Sequence, residues 1–302
     1  MSNTTSLEQF LNDYLTELRI ERNLADNSLE AYSRDIRNFI RFVADEGVND
    51  LTEVTVDHAR DFFNQLSTAG LNATSIARYH SSLKGFFSYL VVSEYVKKSP
   101  VARLKPPKLS RKLPEVLTPS EIDAIIDKID TSTPAGLRDR AIIEVLYACG
   151  IRVSELTGMK KSDLFFEEEM IRVFGKGSKE RFVPIGSAAI KAINDYLLHS
   201  RPLIAKPSSG PVLFLNTKRG GGLSRVAVWM MIKEYAGLAG INKRVYPHIF
   251  RHSFATHLIE GGANIRAVQE MLGHTDISVT QIYTHIDISY IRDVVNRFHP
   301  RG

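Results

Sequence analysis

Apolar residues in the first third of the chain recur at the spacing of amphipathic helices. Phe10, Tyr14 and Leu18 lie four residues apart and predict a first helix. A second apolar stripe predicts a helix that begins near Asp26 and ends at Gly47, since glycine commonly follows the last helical turn. The same spacing therefore predicts two consecutive helices before residue 50.

Two further helices are predicted before residue 97. One begins near Thr55 and ends near Gly70, and the next begins near Asn72. No alternating strand pattern interrupts these segments. Residues 1–96 are therefore expected to form an N-terminal four-helix domain.

From Thr118 onward the pattern predicts both helices and strands. Thr118 and Glu121 have the spacing of a capping box, and a long helix follows over residues 137–148. Segments 171–174 and 181–185 flank a glycine-rich turn and predict a β-hairpin. Later helices are predicted near residues 187–199, 224–239, 247–260, 264–271, 278–285 and 287–297. The fold class is mainly α with a small β-sheet, and residues 115–302 form a mixed α/β second domain.

The segment between the two predicted domains, residues 97–114, is basic and rich in proline. Residues 97–112 carry seven Lys or Arg side chains and no acidic ones, whereas residues 1–96 have a net charge of −6 and residues 113–302 one of +4. A dense run of cations suits a polyanion such as DNA, and a solvated linker explains the run equally well. The prolines disfavour a helix, so an extended linker is expected.

The composition of this 302-residue protein bears on its cellular location and on whether it contacts a membrane. Hydrophobic residues make up 43% of the chain, enough for two cores, and no apolar run approaches the length of a membrane span. The N-terminus lacks a signal-peptide pattern, and the single cysteine, Cys149, leaves no intramolecular disulfide. A cytoplasmic location and no membrane partner are therefore expected, with Cys149 buried in the core.

Four short segments contain the residues best suited to chemistry. They are Gly150–Leu156 with Arg152, Gly175–Lys179 with Lys176, Pro247–His257 with His248 and Arg251, and Leu272–His285 with His274 and Tyr283. Each alone has an ordinary structural explanation, such as an ion pair, a hairpin tip or a core tyrosine. Five of the nine histidines nevertheless fall between residues 248 and 285, which favours a functional cluster.

Two common kinds of site fit these residues poorly. His248 and His252 have a zinc-ligand spacing, but Ile249 occupies the position of the metalloprotease glutamate, no cysteine pair is present, and Arg251 between them repels a cation. The Gly220–Gly222 run lacks the lysine and hydroxyl residue of a phosphate-binding P-loop. No metal or other cofactor is therefore expected.

The four segments together resemble the tyrosine recombinase (phage integrase) family. The motifs are an arginine in Gly-Ile-Arg-Val-Ser-Glu-Leu, a lysine in a β-hairpin turn, His-x-x-Arg, Leu-Gly-His, and a tyrosine nine residues after that histidine. All occur in the family's order and extend the resemblance over nearly the whole chain. The segment Gln281–His285 and the C-terminal segment His299–Arg301 are most similar to the Xer subfamily. Ile151 and Phe250 depart from the leucines usual at those positions.

The resemblance implies DNA strand cleavage and rejoining through a 3′-phosphotyrosine, with six catalytic residues. Tyr283 is the implied nucleophile, and Tyr246 and Tyr290 are nearby alternatives. A tyrosine with an ordinary pKa near 10 needs a proton acceptor, for which His248 is suited. The guanidinium groups of Arg152 and Arg251 would hold the phosphate oxygens, His274 would donate to the phosphate, and Lys176 would protonate the leaving 5′ oxygen.

The resemblance also implies partners and a setting. Both domains would bind double-stranded DNA with a dif-like site in a C-shaped clamp. The active assembly would be a homo- or hetero-tetramer with a sister recombinase. A septal DNA translocase would be a further partner. The implied role is resolution of chromosome dimers during segregation. Candidate DNA contacts are Ser75, Arg78, Lys84, Lys105, Lys108, Arg111 and Lys179. A type IB topoisomerase-like enzyme, or a DNA-binding regulator without catalysis, remains an alternative.

Overall fold

The chain divides into two compact units, Met1–Lys112 and Leu113–Gly302, in a computed structural model. The structure describes residues 2–20, 24, 26–107, 115–175, 180–273 and 288–301. Within these ranges, no helix is long and apolar enough to cross a membrane.

Four helices make up most of the described part of the first unit, as the apolar spacing predicts. Its helices are α1 (Ser2–Ile20), α2 (Asp26–Asp45), α3 (Val56–Thr68) and α4 (Ala73–Val92), with a short 3₁₀ turn at Leu51–Glu53. Thr55 caps α3 reciprocally with His58, and the Asn72 side chain accepts a hydrogen bond from the Ser75 backbone N–H at the start of α4. The predicted starts of α3 and α4 are confirmed.

Aromatic residues dominate the core of the first unit. Phe39 on α2 contacts Phe62 on α3 and Phe87 on α4 edge-on, with ring centroids 5.2 and 5.8 Å apart. Val96 and Val101 are buried in the same core, so the beginning of the basic segment packs on these helices. Residues 108–114, the rest of that segment, lie outside the described residues.

The second unit combines helices with a small antiparallel sheet. Its helices are α5 (Pro119–Asp127), α6 (Pro134–Cys149), α7 (Val153–Gly158), α8 (Ser187–Asp195), α9 (Arg201–Ile204), α10 (Arg225–Leu238), α11 (Pro247–Gly261), α12 (Ile265–Leu272) and α13 (Ile288–Phe298). The strands are β1 (Leu164–Phe165), β2 (Met170–Phe174) and β3 (Glu180–Pro184), in the order β1-β2-β3. The predicted hairpin and the Thr118–Glu121 capping box are confirmed.

Two details differ from the sequence-based expectation, and one predicted helix remains untested. The short strand β1 pairs with β2 although its two residues give no periodic signal. The helix predicted over 187–199 is interrupted by a π-helical turn, Tyr196–Ser200, before α9. The helix predicted near 278–285 lies outside the described residues.

Helix α6 is the central element of the second unit, and nearly every residue of its last three turns is buried. Gly150 ends it with φ +57°, a left-handed conformation that glycine adopts without strain, and the chain then turns toward Arg152. Helices α11, α12 and α13 pack around a separate apolar cluster that includes Phe254, Met271 and Val295. These helix ends place the candidate residues described next.

Candidate active site

Three of the six implied catalytic residues lie in the described part of the second unit. Arg152 precedes α7, and His248 and Arg251 lie three residues apart on α11. Lys176, His274 and Tyr283 lie outside the described residues, as does Lys179.

Arg152 is oriented by the first turn of its own helix. Its Nη1 donates to Glu155 Oε1 at 2.9 Å, and its backbone N–H donates to Glu155 Oε2 at 2.8 Å. The Arg152 side chain is 36% exposed, and within the described residues its Nε and Nη2 make no further hydrogen bond to protein. The guanidinium is therefore fixed on one side and open on the other, the arrangement that a phosphate-binding fork needs.

Glu155 is the buried centre of the cluster. Its side chain is 2% exposed and also accepts two hydrogen bonds from Arg181, at 2.9 and 3.0 Å. Burial alone would raise the pKa of Glu155, but the hydrogen bonds from Arg181 and the Arg152 backbone outweigh it and hold the pKa below its ordinary value. Glu155 thus stays ionised and holds both arginines.

Arg251 is bound by backbone carbonyls rather than by a carboxylate. Its Nη1 donates to Gly150 O at 2.8 Å and its Nη2 to Leu272 O at 2.5 Å. Burial and the positive charge of Arg152 lower the pKa of Arg251 to about 10, so the guanidinium is still charged at neutral pH. Arg251 therefore connects Gly150, which ends α6, to Leu272, the last residue of α12. Gly273 and His274 follow Leu272 in the chain.

His248 lies at the start of α11 and is solvent-exposed. Partial burial and the nearby charges of Arg251 and Arg152 lower the pKa of His248. A lowered pKa keeps the imidazole neutral at pH 7 and able to accept a proton. The structure therefore brings Arg152, Arg251 and His248 together, although 96 residues separate Arg152 from His248 in the chain.

Sequence reasoning missed Arg181 and its pairing with Glu155. Arg181 is the second residue of β3 and carries only the charge of an ordinary strand residue in the sequence. Glu155 stands three residues after Arg152, and only the fold shows that it also binds a second arginine. Long-range pairing of this kind leaves no local spacing signal.

The candidate DNA contacts in the first unit differ in their exposure to solvent and in their bonds to other side chains. Lys84 on α4 and Lys105 after it are exposed. The Arg78 guanidinium is bound to the buried Asp35 carboxylate and lies 5.2 Å from the centroid of the Tyr79 ring. Arg78 therefore contributes less free positive charge than the sequence alone indicates.

The remaining candidates add little to a DNA surface in the described structure. Ser75 is partly buried beside the Asn72 cap. Lys108 and Arg111 lie outside the described residues. Cys149 is fully buried, as expected, and burial raises the pKa of its thiol, so it is no nucleophile.

A metal site would need a third ligand beside His248 and His252. Among the described residues, no three His, Cys, Asp or Glu side chains lie close enough together to bind a metal ion.

Comparison with known proteins assigns the chain to a family. Residues 115–289 match the phage integrase family, and residues 11–94 match the N-terminal SAM-like domain of phage integrases. The chain is 45% identical to a tyrosine recombinase XerD of Chlorobaculum tepidum, over 98% of this chain and 97% of that protein. It is 41% identical to a tyrosine recombinase XerD of Staphylococcus aureus, over 98% of this chain and all of that protein.

The chain belongs to the phage integrase family of tyrosine recombinases, in its Xer branch. It is therefore a site-specific recombinase, an enzyme that breaks and rejoins DNA by tyrosine transesterification. Among solved structures it resembles the XerH site-specific recombinase bound to difH substrate in a pre-cleavage complex, with a TM-score of 0.67 and 26% identity, over 94% of this chain and 82% of that one.

Proposed function

We propose that this recombinase resolves chromosome dimers at a dif-like site, using Arg152, Lys176, His248, Arg251, His274 and Tyr283 as its catalytic residues. The main support is the cluster of Arg152, Arg251 and His248, in which the Arg152 guanidinium keeps open donors beside a histidine of lowered pKa. Such a cluster fits a phosphodiester whose negative charge grows during the reaction.

The proposed reaction exchanges one phosphate ester for another. Tyr283 Oη attacks the scissile phosphorus as His248 takes the phenolic proton, and the bond between phosphorus and the 5′ oxygen breaks. Lys176 gives a proton to that leaving oxygen, and His274 donates a hydrogen bond to the phosphate. The product is a 3′-phosphotyrosine with a free 5′-hydroxyl, and attack by a 5′-hydroxyl reverses the steps without an external energy source.

The two arginines divide the binding of the phosphate oxygens. Arg152 offers its Nε and Nη2 toward the open side, whereas Arg251 contributes a charge already held by two carbonyl groups. Two fixed cations beside the phosphate stabilise the phosphorane-like transition state more than the ground state, because negative charge accumulates there.

The proposed biological setting follows the relatives. Two of them are named XerD, and a structural relative is a recombinase bound to difH substrate. We therefore propose double-stranded DNA with a dif-like site as the substrate. The active assembly would be a tetramer, with copies of this chain or a sister recombinase, and a septal DNA translocase would be a further partner. The exposed Lys84 and Lys105 would contact the DNA backbone.

A suicide-substrate assay tests the chemistry. The protein is incubated in EDTA with nicked, labelled DNA that carries a Xer-type site, alone and with a sister recombinase, and covalent adducts are separated on a denaturing gel. We expect an adduct that Tyr283→Phe abolishes and Tyr290→Phe, the matched control on α13, retains.

Other outcomes separate the alternatives. An adduct that persists in Tyr283→Phe and disappears in Tyr290→Phe would move the nucleophile. Efficient relaxation of supercoiled plasmid that lacks the site would indicate topoisomerase-like activity. Tight DNA binding without any adduct, even with the sister protein, would indicate a regulator.

A further inference from the structure

Arg181, at the second position of β3, has all three guanidinium nitrogens bound by protein. Its Nη1 and Nη2 donate to the two oxygens of Glu155, and its Nε donates to Met271 O at 2.9 Å. The side chain is only 16% exposed. One planar group thus connects the carboxylate that holds Arg152 to the last turn of α12.

The bonding of the three arginines assigns them different tasks. Arg152 has open donors, and Arg251 uses both terminal nitrogens on backbone carbonyls. Each of the three guanidinium nitrogens of Arg181 is bound to Glu155 or Met271, so Arg181 is less free than Arg152 to bind a phosphate. A guanidinium bound on three sides acts through the groups that it holds.

Gly273 shows how closely Arg181 approaches the Leu-Gly-His segment. This glycine ends α12 with φ +65°, and a Cβ built on it would lie 3.2 Å from Arg181 Cδ and 3.2 Å from Arg181 Nε. Glycine therefore serves two needs at this position, the left-handed turn and the close approach of the arginine. His274 is the next residue in the chain.

We propose that Arg181 is a positioning residue of the recombination site: it fixes Glu155, and through it Arg152, relative to the end of α12 from which His274 follows. This inference rests on the proposed function for its catalytic consequence. Without Arg181, Glu155 loses two charged hydrogen bonds and Met271 O loses its donor. The side chain that connects Glu155 and Arg152 to the end of α12 is then missing, so their relative positions are less well fixed. Displacements of about 1 Å in such sites reduce rates by roughly 100-fold.

Arg172 provides the matched control for an experiment. It lies on the neighbouring strand β2, and its guanidinium binds the buried Asp163 carboxylate at 3.0 Å, yet within the described residues it forms no hydrogen bond or ion pair with Glu155 or α12. Arg181→Met, Arg181→Lys, Arg172→Met and wild type are compared in the full-length chain. DNA affinity, the single-turnover cleavage rate on the suicide substrate, and hydrogen exchange of the peptide over residues 265–273 are measured.

We expect Arg181→Met to cleave about 10- to 100-fold more slowly than wild type while its affinity for DNA changes less than about twofold. Arg181→Lys recovers part of the rate, because an ammonium restores one charged contact to Glu155 but not the planar fork. Exchange of the peptide over 265–273 becomes faster in Arg181→Met and is unchanged in Arg172→Met.

The readouts separate this inference from the proposed function. Absence of an adduct with wild-type protein defeats the proposed function, and the exchange measurement still decides whether Arg181 holds the α12 end. If the wild-type protein cleaves DNA, and Arg181→Met shows the same cleavage rate and the same hydrogen exchange, the positioning role is refuted. A large loss of DNA affinity in Arg181→Met at an unchanged cleavage rate also refutes it, since Arg181 would then be a DNA contact.

Discussion

Gly150 occupies a position in the second unit where an added methyl group would meet a buried side chain. It ends α6 with φ +57°, and a Cβ at this position would lie 2.3 Å from Cδ1 of the fully buried Phe254. Gly150 O also accepts the hydrogen bond from Arg251. Gly150→Ala therefore perturbs the fold and the candidate site at one point.

The expected loss of stability has two components. A non-glycine residue in the left-handed region costs about 1–2 kcal/mol. Overpacking against a fixed side chain such as Phe254 costs about 1–3 kcal/mol more, because the core has no room to shift. Gly240, which follows α10, has φ +70° and open space around its Cβ position, so Gly240→Ala reports the backbone component alone. We expect Gly150→Ala to lose about 2–5 kcal/mol and Gly240→Ala about 1–2 kcal/mol.

The single tryptophan makes the measurement specific to one unit. Trp229 lies on α10 in the second unit, and its fluorescence follows urea unfolding of that unit without a contribution from the first. Equal destabilisation by the two substitutions would refute the packing argument at Phe254. A folded Gly150→Ala protein should also cleave more slowly than Gly240→Ala, since its Arg251 carbonyl partner is displaced.

Two further predictions concern the C-terminal residues of the second unit. Arg301→Ala removes the partner of Glu144, a carboxylate 1% exposed, and should cost about 3–5 kcal/mol at pH 7, measured by urea unfolding of the second unit. An unaltered unfolding midpoint would show that Glu144 is not held by this pair. His299 is buried, and its environment lowers its pKa to about 3. Acid should therefore destabilise the second unit, and His299→Phe should reduce the loss of stability in acid. Urea midpoints at pH 7 and pH 5 test this, and an equal acid loss in both proteins would contradict it.

The direction of the acid effect follows from the two protonation states. Burial, and then the charges of His257 and Arg301, lower the pKa of His299, so the folded state resists a proton that the unfolded chain binds near pH 6.5. Stability from neutral His299 is therefore complete above pH 6.5 and is lost as the pH falls, by about 2 kcal/mol between pH 7 and pH 5. The lowered pKa of His257 acts in the same direction, and the raised pKa of Glu144 opposes both, so the difference between wild type and His299→Phe isolates His299.

Local signals in the sequence predicted most of the secondary structure. The helices near Thr55 and Asn72 start where expected and the capping box at Thr118 forms, because each start depends on residues three positions apart. The strand β1 and the π-helical turn at Tyr196–Ser200 were not predicted, since tertiary contacts rather than local propensity produce them.

The candidate site was only partly predictable. The positions of Arg152, His248 and Arg251 could be proposed from short motifs, and the fold brings them together. The pairing of Arg181 with Glu155 joins residues 26 positions apart, and its bond to Met271 spans 90 positions. No periodicity marks such contacts, so nothing local in the sequence distinguishes Arg181 from other strand cations.

Helix ends explain how the site keeps a surplus of positive charge. Arg251 donates to the last carbonyls of α6 and α12, and Arg181 donates to Met271 O in the last turn of α12. Carbonyls at a helix C-terminus have no partner within the helix and carry partial negative charge, so they bind a cation without neutralising it. Glu155 is the one carboxylate bound to this arginine cluster in the described residues, so three guanidiniums and one carboxylate leave the cluster with a net charge of +2. Replacing these carbonyl contacts with further carboxylates would hold the arginines equally well and cancel the charge that the proposed reaction needs.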